Sequence, residues 1–145
     1  MTDNKLIDDL NDLLEYLYDS KNGFNECADL IKDAKLEALF DELERQRKHF
    51  SESLYQAIVQ AGGKPVESGS LTAALHRTMV DLKSLATGSD TAAIANEVKR
   101  GETTMLERYR EVLGKDYPAN IKALLQEQAS AIEENLKKIE VFAGI

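Results

Sequence analysis

Apolar residues recur at spacings of three and four through four long stretches of the chain, and each stripe predicts one amphipathic helix. The first helix spans about residues 3–33, with Thr2 or Asp3 as its cap. Its stripe is Leu6, Leu10, Leu13, Leu17, Phe24, Cys27 and Ile31, with Ser20 bridging the gap between Leu17 and Phe24. Gly23 inside it weakens the helix by ~1 kcal/mol and suggests close contact with a neighbour. The second helix, about 35–61, buries Leu36, Leu39, Phe40, Leu43, Phe50, Leu54, Ala57, Ile58 and Ala61. So short a link predicts that the two are antiparallel neighbours. Gly62-Gly63 and then Pro65 end the second helix.

The third helix, about 90–113, has Ser89 or Asp90 as cap and a stripe of Ile94, Val98, Gly101, Met105, Tyr109 and Val112. Gly114 closes it. Asp116-Tyr117-Pro118 opens the fourth helix, about 118–143, whose face is Ile121, Leu124, Leu125, Ile132, Leu136, Ile139 and Phe142.

Between the two hairpins the stretch from Gly62 to Asp90 is much longer than a turn requires. Ser70 is a good cap for a helix of its own, about 70–86, with Leu71, Ala74, Leu75, Met79, Leu82 and Ala86 on one face. Such a helix covers roughly 24 Å, against about 40 Å for a 27-residue helix of the bundle. Two short-linked helical pairs joined by one long crossover have the connectivity of ferritin-like bundles. The fold class read from the sequence is therefore all-α: one ferritin-like four-helix-bundle domain, residues 1–145, with a helical crossover between helices two and three.

Composition fits that reading and narrows the function. The residues are 43% hydrophobic and 30% charged, with no Trp, which suits a helical globular domain. A net charge of −8 argues against a nucleic-acid partner, since phosphate binding needs clustered Lys and Arg. No stretch approaches the ~20 apolar residues of a membrane span. The opening MTDNKLIDDL is acidic and polar where a secretion signal would be basic and then apolar. A single cysteine, Cys27, excludes an internal disulfide and suits a reducing, cytoplasmic location.

Some polar residues fall on the apolar stripes. Glu102 lies between Val98 and Met105, Arg47 between Leu43 and Leu54, and Gln128 and Asn135 inside the fourth stripe; Lys21 is nearer the edge of the first. Counted from the helix starts at Lys35 and Asp90, Arg47 and Glu102 stand at the same height if helices two and three run parallel. Lys21, Arg47, Glu102, Gln128 and Asn135 thus converge on one layer near mid-bundle. Ferritin-like di-iron proteins place their metals in such a layer, using a Glu from each of two helices and Glu-x-x-His from each of the other two. Here His49 follows Gln46 rather than a glutamate, helix four has no histidine, and Glu26 faces away from the stripe of helix one. The expectation is a buried polar cluster without metal, in which Glu102 pairs with Arg47 or Lys21. The alternative is a degenerate site holding iron or manganese through Glu102 and His49. His76 reads as a surface histidine, and heme or flavin binding has no dedicated signal.

Gly69-Ser70-Leu71, Ala74-Leu75-His76-Arg77, Asp81-Leu82-Lys83 and Thr87-Gly88 resemble a bacterial family of ferritin-like four-helix-bundle proteins with a domain of unknown function. Arg100-Gly101-Glu102, Leu10-Asn11-Asp12-Leu13 and Gly62-Gly63-Lys64-Pro65 are similar to the same pattern. The resemblance implies a ferritin-like fold and a bacterial source; it brings no catalytic residue. With no triad, phosphate loop or complete metal set, the chain reads as a non-enzymatic interaction or stress-related module, acting on an unknown protein partner. Leu30, Tyr55, Val59 and Val80 lie off their stripes and suggest a homodimer.

Overall fold

A computed structural model describes residues 3–69, 80–81, 84 and 90–143. Among them run four long helices: α1 (Asn4–Ala28), α2 (Ala34–Gln60), α3 (Thr91–Leu113) and α4 (Ala119–Glu140). Three start on an aspartate. Asp3 accepts from the backbone N–H groups of Lys5 and Leu6, Asp33 from those of Lys35 and Leu36, and Asp90 from that of Ala93. Each cap satisfies donors that the first turn leaves unpaired.

The first helix stops at Ala28, sooner than its stripe suggests. Asp29 caps the end, and Ile31 is buried in the connection although it has left the helix. The stripe reports burial, and here burial outlasts the helical backbone. Gly23 is buried within α1.

The core forms two apolar clusters, and their membership fixes the topology. One combines the first part of α1 (Leu6 to Leu17) and the end of α2 (Phe50 to Ile58) with the end of α3 (Met105 to Val112) and the start of α4 (Ile121 to Ile132). The other joins Phe24, Cys27, Leu36, Phe40, Leu43, Ile94, Val98 and Ile139 at the opposite end. Hence α2 and α3 are parallel, and Gly62 and Asp90 stand at opposite ends of the bundle. Within each hairpin the helices pack extensively, α1 on α2 and α3 on α4; between hairpins α1 meets α3 and α2 meets α4. That arrangement puts α2 and α3 on a diagonal. The expected crossover helix, about 70–86, and His76 lie outside the described residues, except that Val80, Asp81 and Ser84 are helical and exposed.

The crossover begins as a strap along α1. Gly62, at φ 85°, ends α2 in a left-handed turn. The Gly63 N–H donates to the Ile58 carbonyl and the Gly62 N–H to the Val59 carbonyl, the paired bonds of a Schellman cap. A Cβ on Gly63 would stand 2.6 Å from Ile7, so only glycine lets the strap lie this close to α1. The Asn11 side chain then donates to the Lys64 carbonyl (3.1 Å) and accepts from the Val66 N–H (2.9 Å). Further along, Tyr18 donates to the Val66 carbonyl, and Gly69 packs on Asp19. Of the off-stripe residues, Leu30, Val59 and Val80 are exposed, while Tyr55 is half-buried and donates to the Glu67 carboxylate.

Candidate functional site

In each helix two stripe residues seven apart bracket one polar residue: Leu17 and Phe24 bracket Ser20, Leu43 and Phe50 bracket Arg47, Val98 and Met105 bracket Glu102, Ile132 and Ile139 bracket Asn135. Two turns of helix take just over seven residues, so each interruption keeps its neighbours on the core face. The interruptions meet at one level, between the two apolar clusters.

Arg47 is fully buried at the centre, and its Nη2 is ion-paired with Glu102 Oε2, itself only 3% exposed. The pair spans the α2–α3 diagonal. Every nitrogen of the guanidinium has a partner: Nε donates to Ser20 Oγ (3.0 Å) and Nη1 to Gln46 Oε1 (3.1 Å). The guanidinium carbon also lies 5.7 Å from the centre of the Phe24 ring, within cation–π range, and Phe24 meets Phe40 edge to face. Gln46 Oε1 accepts a second bond, from Asn135 Nδ2 at 2.6 Å, which ties α4 into the layer.

About two turns toward the first cluster, Tyr109 Oη donates to Gln128 Oε1 (2.6 Å), and Gln128 Nε2 donates to the Phe50 carbonyl (3.3 Å). Burial pushes the Tyr109 phenol well above its ordinary pKa; the Arg47 charge opposes that shift and Glu102 adds to it. Tyr109 is therefore a neutral donor at any physiological pH. Among the described residues, the only buried side-chain polar atom without a hydrogen-bond partner is Asp19 Oδ2, which lies under the strap and outside the layer. The layer is internally satisfied, the condition under which a buried charge pair is tolerated.

Of the residues that sequence alone puts in this layer, Arg47, Glu102 and Asn135 are buried in it, while Gln128 is buried about two turns from Asn135 and bonds Tyr109 instead. Lys21 lies outside it as well. It is half-buried and lines the outer groove between α1 and α2, and Ser20, one position earlier, stands beside Arg47 instead. The long, flexible lysine stem lets its ammonium stay near solvent from the edge of a core face. Three participants escape the sequence reading: Ser20 and Gln46 as partners of Arg47, and Tyr109, whose hydroxyl bonds within its apolar stripe. Ser20 left a signal, since it fills the missing position in the first stripe.

His49 is exposed, with its ring centre 6.3 Å from that of Phe50, so it is not brought together with Glu102. Glu26 is exposed on α1. Glu102 is the layer's one carboxylate, and its partner is a guanidinium. Among the described residues no three His, Cys, Asp or Glu side chains form a group able to hold a metal ion. This donor set does not fit a di-metal centre, which needs several carboxylates and histidines around a shared position.

A family model, the domain of unknown function DUF2383, matches residues 5–115. The chain belongs to that family. No curated protein matches it. The DUF2383 span takes in α1, the Asn11 and Gly62–Gly63 contacts of the strap, and both Arg47 and Glu102, and it ends before α4. The central ion pair is thus contained in the family's domain, while Asn135, which ties α4 to Gln46, and Gln128, which bonds Tyr109, lie outside it.

Proposed function

We propose that this DUF2383 protein is a non-enzymatic helical module with ferritin-like connectivity, and that its Arg47–Glu102 pair occupies the level where di-iron proteins of that topology hold metals. One observation carries the reading: the layer's only carboxylate is neutralised by a guanidinium with hydrogen bonds at all three nitrogens. A metal there would have to displace Arg47 and leave a buried cation without its partner, a change that costs several kcal/mol. The pair then serves to fix the register of the two hairpins, and the outer surface carries the interaction, as a stress-related scaffold or a homodimer.

Metal analysis of protein purified without an affinity tag tests this. The expectation is iron and manganese far below one equivalent, and a melting temperature unchanged when either is added. Stoichiometric metal with a rise in melting temperature would establish the metal-binding alternative, because a ligand held only by the folded state stabilises it.

A further inference from the structure

A pocket of roughly 540 Å³ opens in the outer groove between α1 and α2, lined by Tyr18, Lys21, Lys48, Ser51, Glu52, Tyr55 and Gln56. Its volume falls in the range typical of small-molecule sites, about 300–1,000 Å³. The lining concentrates positive charge in a chain of net charge −8. Lys21 and Lys48 come from facing helices, and neither ammonium is ion-paired among the described residues. Glu52 is the only carboxylate in the lining, so the pocket carries one excess positive charge and attracts an anion.

Two rings supply the apolar wall. Tyr18 Oη donates to the Val66 carbonyl at 3.4 Å and Tyr55 Oη to Glu67 Oε1 at 3.3 Å. Both hydroxyls are thereby engaged by the strap, and both side chains line the pocket although they also pack on the core, so what they offer a ligand there is apolar. Ser51 is buried at 4% exposure, and its hydroxyl donates to the Lys48 carbonyl (2.7 Å), leaving its oxygen able to accept. Glu52 and Gln56 offer further acceptors.

We propose that this pocket binds a small aromatic carboxylate bearing a hydroxyl or amino donor. The carboxylate lies between Lys21 and Lys48, the ring against Tyr18 and Tyr55, and the donor toward Glu52. The site is independent of the buried layer and of the function proposed for it. It faces outward from the same level, since Lys21 and Lys48 each follow a member of the Ser20–Arg47 contact.

The test is a titration with 4-hydroxybenzoate followed by backbone amide chemical shifts, with inorganic phosphate as a comparison. The expected result is saturable movement at Lys21, Lys48, Ser51 and Tyr55, with a Kd on the order of 1 mM. Lys21→Met and Lys48→Met each weaken binding about tenfold, the value of one charge-assisted hydrogen bond, while melting as the parent does. Lys35→Met, an exposed lysine at the start of α2, leaves the Kd unchanged. Absence of saturation at about 10 mM, ten times that Kd, overturns the proposal. So does equal weakening by Lys35→Met, which would reduce the effect to bulk charge, or phosphate binding as tightly as the aromatic acid.

Discussion

Asn11 holds Val66 much as a neighbouring peptide group would: its amide oxygen accepts the Val66 N–H while its nitrogen donates to the Lys64 carbonyl, two residues back. One side chain on α1 thus sets the course on which the chain leaves α2. Replacing it tests the strap. Asn11→Ala removes both bonds at a cost of about 1–3 kcal/mol. Hydrogen exchange at the Val66 amide should accelerate by a larger factor than at amides in the middle of α4. Unchanged exchange at Val66 would show that the strap is held elsewhere.

Asp9 and Asp19, both on α1, should respond to pH in opposite directions. Burial works to raise the Asp9 pKa, but hydrogen bonds from Lys115 and Tyr117 and the Lys115 charge together hold it below its ordinary value. A carboxyl depressed in the folded state adds stability above its unfolded pKa, and that contribution is lost as pH falls through the folded value. Asp19 is raised by burial and by the nearby Glu15 charge. It favours the folded state below the unfolded pKa, near 3.8, and that contribution is lost as pH rises through its folded value. Thermal melts between about pH 3 and 7 check both. Asp9→Asn should lower the melting temperature at neutral pH and converge with the parent in acid; Asp19→Asn should raise it at neutral pH. A drop for Asp19→Asn at neutral pH would mean that its carboxylate has a partner when ionised.

Gly101 precedes Glu102 on α3, and a Cβ there would meet nothing within 4 Å. Glycine in an exposed helical position with ordinary geometry costs about 1 kcal/mol relative to alanine. Gly101→Ala should stabilise by about that amount in urea titrations, with no change in the slope of the transition. A destabilised variant would show that α3 needs to bend at this level.

These elements differ in how far the sequence displays them. The four stripes gave the helices and their pairing, because burial on one helical face repeats every three or four residues. Counting from the helix starts puts Arg47 and Glu102 at one height, and the structure pairs them. Lys21 was misplaced because adjacent residues differ by about 100° around the helix, and a long stem at the edge of a face can turn either way. Ile31 extended the first stripe past the end of α1, since apolar spacing does not register a change of backbone. The strap's start at Gly62-Gly63 was legible but its course along α1 was not: Asn11 and Val66 are 55 positions apart, and one side chain bonded to a loop leaves no periodic trace.

The bundle's dependence on the Arg47–Glu102 pair is measured by unfolding free energies in urea. Glu102→Ala, which strands a buried guanidinium, should lose about 3–5 kcal/mol. Glu102→Leu combined with Arg47→Met removes both charges and refills the space; it should recover most of that loss, with Lys21 left in place because it stands outside the layer. A Glu102→Ala variant within about 1 kcal/mol of the parent, or a double variant no more stable than Glu102→Ala alone, would contradict the account.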